Sequence, residues 1–278
     1  MVVPAARSNM LVSLGRYGLL SVILILMVFP LLWMLRISFM GTGQAISMNQ
    51  VLAAGFTFSN YMDIFSGDLI GRPLLNSAAV GLAVTGGNIL FCFMVAYSLA
   101  RFRYLVNKLL FITVILILMI PAHIIIIPLY VLMLKTGLYD SYWALILPWL
   151  VNPIGIFLVK QYIESVPPAM EDAARIDGAG DFRIAFRIVM PLCKPALAVL
   201  AIQVFFTNWN SFLFPYILTI SSELRTLPVA LALYQGHQAV DWQHLMAGSS
   251  IAVLPVLVLF MFMQRHVVSG ITAGAVKQ

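Results

Sequence analysis

Charged residues are so unevenly spaced along this chain that the gaps between them outline its architecture. Six charge-free, strongly apolar stretches predict membrane spans at about 17–35, 76–100, 109–134, 141–159, 196–220 and 243–264. Each has enough residues for a helix to cross a hydrocarbon core of ~30 Å, which takes about 20 residues. Helix is expected rather than strand, because the stretches are too long and too uniformly apolar for the alternating segments of a barrel. A spanning backbone must also satisfy its own hydrogen bonds. A seventh charge-free stretch, 37–62, contains Gly41, Thr42, Gly43, Gln44, Ser47, Asn49, Gln50, Gly55, Ser59 and Asn60. It has no continuous apolar run of span length, and it reads as an external loop.

Composition agrees with this pattern. Of 278 residues, 62% are hydrophobic and only 9% charged, against about a quarter charged in soluble domains. The mean hydropathy is +0.99. The positive-inside rule then orients the chain. With the N-terminus in the cytoplasm, Arg7, Arg16, Arg101, Arg103, Lys108, Lys160, Arg175, Arg183, Arg187, Lys194, Arg265 and Lys277 fall inside, and Arg36, Arg72, Lys135 and Arg225 outside. The net charge of +6 therefore reads as a preference for one leaflet, with no basic stripe of the kind nucleic acid requires. The first span has no small-x-small cleavage site after it and reads as an anchor. Cys92 and Cys193 are placed in a span and a loop, so neither a disulfide nor a metal site is indicated. With no long repeat and no soluble domain, residues 1–278 are expected to form one membrane domain.

One polar feature stands out between the fourth and fifth spans. Residues 160–194 hold five of the ten acidic residues of the chain, Glu164, Glu171, Asp172, Asp177 and Asp181. Two short helices are predicted there. Pro167 and Pro168 suit the start of the first, Glu171 and Asp172 fall in its first turn where the helix dipole favours anions, and Gly178 ends it. Asp181 is expected to cap the second, in which Phe182, Ala185, Phe186 and Val189 recur at helical spacing until Pro191 stops it. Ala173 and Ala174 leave a smooth face that another protein could approach.

The series Asp172-Ala173-Ala174, Gly178, Ile188 and Met190-Pro191 resembles the EAA signature of ATP-binding-cassette (ABC) importer permeases, with both spacings kept. Asp172 replaces the usual Glu and Met190 the usual Leu. Residues 174–179, Trp209-Asn210 followed by 225–228, and the terminal 270–277 are similar to carbohydrate-uptake permeases of the maltose type. The fit covers roughly 74–278.

The resemblance implies an all-α, six-helix polytopic membrane domain of type I ABC importer architecture, multi-pass in the bacterial inner membrane, with both termini cytoplasmic. Its function would be ATP-driven import of a sugar or sugar-like solute. The partners implied are a second homologous permease subunit, two ATPase subunits, an extracytoplasmic solute-binding protein and membrane lipid. The 160–194 loop would couple to the ATPase through Glu171, Asp172, Ala173, Ala174, Arg175, Asp177, Gly178, Ile188 and Pro191. In the tail, 265–278, Gly270, Thr272, Gly274 and Lys277 would reach the ATPase as well, and 222–241 would touch the binding protein. No cofactor is expected in this chain. It has no Gly-Lys dipeptide and hence no Walker A loop, so ATP and Mg would belong to the partner ATPase, and this chain is not expected to be an enzyme.

Polar groups inside the spans bear on the solute path. Trp209 with Asn208 and Asn210 offers hydrogen bonds beside an aromatic face, and His123 and Asn152 lie near prolines expected to kink the third and fourth spans. Such groups also commonly join helix to helix. The rival reading is an ion- or proton-coupled secondary transporter, which would want carboxylates or cations within the membrane. All ten acids and sixteen bases lie outside the six stretches.

Overall fold

The computed structural model describes residues 5–44, 46–66, 70–234 and 241–275, with side chains described between 13 and 261. Every element among them is helical. The helices group into two compact units, residues 1–69 with 233–253, and residues 70–232 with 254–278.

In the first unit, α1 (Ala5–Ser38) contains a candidate span, Ser13–Ser38, of mean hydropathy 2.6, and the window that defines it has no residue buried against protein. Such a surface suits lipid. The helix becomes protein-like only at its C-terminal end, where Ile37 and Met40 are buried with Val51 of α2 (Met48–Ala53). The carbonyls left open by the ending helix need donors. Asn60 of α3 (Ser59–Ser66) supplies them, its Nδ2 donating to Ser38 O and Met40 O at 2.7 Å each. Among the described residues of 37–62 no helix is of span length, and the expected loop contains short helices as well as turns.

The second unit is organised on α4 (Gly71–Arg101), which packs along α8 (Pro153–Ser165) and α12 (Lys194–Trp209). Where the three meet, Gly155 leaves space that a side chain would fill, since a Cβ there would lie 2.6 Å from Leu200 Cδ1 and 3.2 Å from Cys92 Sγ. Small residues at such a crossing let helices approach within van der Waals range.

Three expected spans are interrupted. The third is two helices, α5 (Leu105–Leu118) and α6 (Ile126–Lys135), bent by 96° at the break. Pro121 comes three residues after Leu118 and caps a 3₁₀ turn, Ala122–Ile125; a proline restricts the residue before it and cannot continue the ladder. The fourth comprises α7 (Tyr142–Ile146), a 3₁₀ turn and α8, whose start is capped by the Asn152 side chain accepting from Ile154 N–H. In the fifth, α12 ends at Trp209, well before residue 220, and α13 (Leu213–Leu218) resumes after Asn210. The long terminal helix, Trp242–Ala275, is named α15, after α14 (Leu227–Tyr234). Among the described residues four helical stretches are long and apolar enough to cross a bilayer, or up to six if the bent pairs within 105–135 and 181–209 each count as one span.

Candidate functional site

The acidic loop forms α9 (Ala169–Ile176) after Pro167 and Pro168. The N–H groups of Glu171 and Asp172 donate to Pro168 O at 2.9 and 3.1 Å. At its other end Ala179 N donates to Ala174 O at 2.9 Å and Gly178 stands at φ +82°. A left-handed residue is what lets the chain wrap its own helix end, and glycine adopts it without a Cβ clash. The following helix begins as α10 (Asp181–Ile184), with Gly180 in the capping position instead of the expected Asp181, which is the first helical residue. Nor does Pro191 stop this helix. It continues through a π-turn, Ala185–Val189, into α11 (Met190–Leu192), and only then bends by 77° into α12. Proline at 191 presses on the carbonyl four residues back, that of Arg187, and the wider π-turn gives that carbonyl room.

The two neighbouring acids of α9 have opposite surroundings. Glu171 is 2% exposed. Its Oε1 accepts from Arg101 Nε at 2.5 Å, its Oε2 from the Tyr97 hydroxyl at 3.1 Å, and Arg101 Nη2 donates to Val166 O at 2.9 Å. Arg101 at the last turn of α4 thereby holds both the end of α8 and the first turn of α9. The Asp172 side chain is 65% exposed and pairs at 3.3 Å with Arg175, which also reaches Asp181 at 3.3 Å. The hydrogen bond to Asp181, and then the nearby charges, push the Arg175 guanidinium above its ordinary pKa. Ala174 is buried beside Glu171's face, whereas Ala173, Asp177 and Gly178 are exposed. Around them stand Ile176, 87% exposed, Phe182, 74% exposed, and Met170. Farther along, Ile188 is half-buried and Pro191 exposed. Tyr97, Arg101 and the Val166 carbonyl were not singled out from sequence. Arg101 directly ends the charge-free stretch 73–100, and that was the available signal.

The polar residues considered for a solute path fall into two groups. His123 lies 6.0 Å, ring to ring, from Phe214, which meets Trp149 edge-on at 4.5 Å. Asn152 caps α8 in the break just beyond Trp149. Separately, Trp209 is buried at 3% exposure and stacks on Phe205, half-buried Asn208 precedes it, and Asn210 caps α12 by donating to Phe206 O at 2.8 Å. In the tail, Gly270, Thr272 and Gly274 lie within α15, their side chains outside the described residues, and Lys277 lies outside them altogether. Among the described residues no three His, Cys, Asp or Glu are grouped to hold a metal.

At the opposite end of α4 a second loop is held. Asn76 Nδ2 donates to Glu223 O and Arg225 O at 2.8 and 2.9 Å, its Oδ1 accepts from the Tyr142 hydroxyl at 2.7 Å, and Ser77 Oγ accepts from Leu227 N at 2.8 Å. Asp140, in the turn before α7, accepts from Ile220 N and Ser221 N at 2.8 and 3.0 Å and from the Ser221 hydroxyl. These bonds, that of the Ser221 hydroxyl foremost, hold the Asp140 carboxyl below its ordinary pKa.

Comparison with known proteins places this geometry. Residues 88–273 match the family described as binding-protein-dependent transport system inner membrane component. The arabinooligosaccharides transport system permease protein AraQ of Halalkalibacterium halodurans is 36% identical over 254 residues, 90% of this chain and 91% of that protein. The trehalose transport system permease protein SugB of Mycobacterium tuberculosis is 32% identical over 252 residues, 89% of this chain and 92% of that one. Among solved structures, a chain of a bacterial ABC transporter importing the acidic polysaccharide alginate superposes with a TM-score of 0.82 at 20% identity, over 95% of this chain and 99% of its own. At that identity the likeness speaks for the fold.

Proposed function

Since the chain belongs to the family of binding-protein-dependent transport system inner membrane components, we propose that the solute it passes is a sugar or a sugar-like molecule. The chain is a multi-pass membrane permease subunit of an ABC importer and not an enzyme, ATP hydrolysis residing on a separate partner. The relatives named for arabinooligosaccharides and trehalose support the sugar reading. In the same proposal the interrupted stretches at about 109–134 and 196–220 each count as one span, giving six in the bacterial inner membrane with both termini cytoplasmic. A second permease, two ATPase subunits carrying ATP and Mg, and an extracytoplasmic binding protein complete the assembly. The binding protein would meet 222–241, the tail 265–278 would meet the ATPase, and His123, Asn152 and Asn208–Asn210 are candidates to face the solute.

The loop 165–191 is the proposed contact with the ATPase. The supporting observation is its division into a half fixed to α4 and an outward face of Asp172, Ala173, Arg175, Ile176 and Phe182. Large apolar side chains held out beside charged ones suit a protein contact. A partner drives a two-state membrane domain only by binding one state more tightly, and a compact helical hairpin passes that difference on without melting. Gly178→Trp tests the contact. The left-handed backbone disfavours any side chain by about 1–2 kcal/mol, and the indole would project from the outward face. Co-purification of the ATPase and ATP-driven uptake into proteoliposomes are both expected to fall. Wild-type values for both would refute docking at this loop.

A further inference from the structure

Glu171 and Asp172 are adjacent in sequence, yet only one of them is available to a partner. We propose that Glu171 is a positioning residue that makes α9 and α4 move as one body, so that the Glu171–Arg101–Tyr97 cluster is the joint through which the loop acts on the membrane helices. The inference rests on the docking of this loop to the ATPase.

Three observations carry it. The pair is enclosed, with side-chain exposures of 12% for Arg101 and 3% for Glu171, so water neither screens nor replaces it. The joint is forked: Arg101 grips the Glu171 carboxylate with Nε and Val166 O with Nη2, while Tyr97, one turn earlier on α4, donates to the second carboxylate oxygen. A single tether would act as a swivel, whereas bonds to both oxygens fix an orientation. Finally, the receiving helix is the one along which α8 and α12 pack, so a displacement entering at Arg101 reaches the centre of this unit. The outward ion pairs of Asp172 and Asp181 with Arg175 hold the hairpin's shape but touch no span. Coupling of this kind needs a physically continuous element that both sites bias, and the forked joint supplies one.

The decisive variant removes both charges together. Replacing a buried ion pair by apolar residues of similar volume commonly preserves folding, so Glu171→Leu with Arg101→Met retains the packing and removes the oriented tie. A reporter on α4 is available at exposed Leu75, because the native Cys92 and Cys193 are both buried. Bimane attached to Leu75→Cys is read in the complete transporter in nanodiscs, with and without ATP plus vanadate. With the native pair, nucleotide is expected to shift the spectrum; in the apolar pair the shift should be about tenfold smaller, with the ATPase still bound in normal amount. A full shift in the apolar pair overturns the proposal, and so does a reporter that stays silent with the native pair. Should the apolar pair fail to assemble, Tyr97→Phe decides instead: loss of one hydroxyl should reduce the shift about threefold, and an undiminished shift overturns the joint. Phe182→Ala separates this from docking itself. If it retains the ATPase and its response, the docking reading fails; if it releases the ATPase while the apolar pair responds fully, only the joint fails.

Discussion

The two ends of α4 each hold a loop, and they do so with different chemistry. At the N-terminal end Asn76 and Ser77 use neutral groups, an amide and a hydroxyl, to bind the backbone of 223–227. At the C-terminal end Arg101 binds a buried carboxylate. A neutral hydrogen bond contributes about 1 kcal/mol net and leaves a modest penalty when lost. An enclosed ion pair contributes little over an apolar replacement, yet losing one partner costs about 3–5 kcal/mol. The first arrangement tolerates damage. The second holds one geometry or fails, which suits a place where force is transmitted.

Single substitutions can break this contrast or sharpen it. Glu171→Ala leaves Arg101 charged and enclosed without its carboxylate, and should cost about 3–5 kcal/mol, read as a lowered unfolding midpoint of the purified protein in detergent. A midpoint within error of wild type would erase the distinction between the ends. Asn76→Ala should cost less, about 1–3 kcal/mol, since it uncovers two carbonyls and the Tyr142 hydroxyl. Because those groups are neutral, the loss is expected to be the same in low and high salt. Asp140→Asn removes the charge that holds Ile220 and Ser221, and amide exchange at those two positions should quicken at neutral pH. The sign with pH follows from its depressed pKa: the stabilisation is complete above the unfolded carboxylate value of about 3.9 and is lost as pH falls through the lower folded value. The protection of those two amides relative to the intrinsic exchange rate at each pH should therefore fall in acid in the wild type and not in the Asn variant. The smallest effect belongs to Arg72→Ala, whose 3.0 Å pair with Glu223 is exposed on both sides. It should change stability by about 0–1 kcal/mol and lose even that in high salt.

Much of this was legible in the sequence. Charge-free stretches marked where the chain is apolar, and Pro167, Pro168 and Gly178 bounded α9 correctly because their backbone restrictions act locally. Breaks within apolar stretches were harder to see. Pro121 announces one, but nothing apolar distinguishes Trp209 as the last helical residue of α12 from the residues that follow. Pro191 misled for a related reason. Its cost was met by a π-turn, which composition does not reveal. The inward turn of Glu171 was half visible, since Glu171 and Ala174 share a helix face three residues apart. Its partner was not, because Arg101 lies seventy residues earlier and five acids in the loop competed for it. The hydrogen bonds of Asn76 and Asp140 go mostly to backbone atoms, carbonyls in the one case and N–H groups in the other, and backbone groups carry no sequence signature.

The π-turn at Ala185–Val189 has a consequence for how this hairpin tolerates change in length. A turn of that kind holds one residue more than an α-helix needs, so it is a reserve of chain already present in the fold. Deleting Ile188 would remove that surplus and leave ordinary helix, in which Phe182 and Asp181 keep nearly the same direction relative to α12. The same deletion in an unbroken α-helix would turn the outward face by about 100°, so here alone the hairpin can be shortened by one residue and still present its surface to the partner.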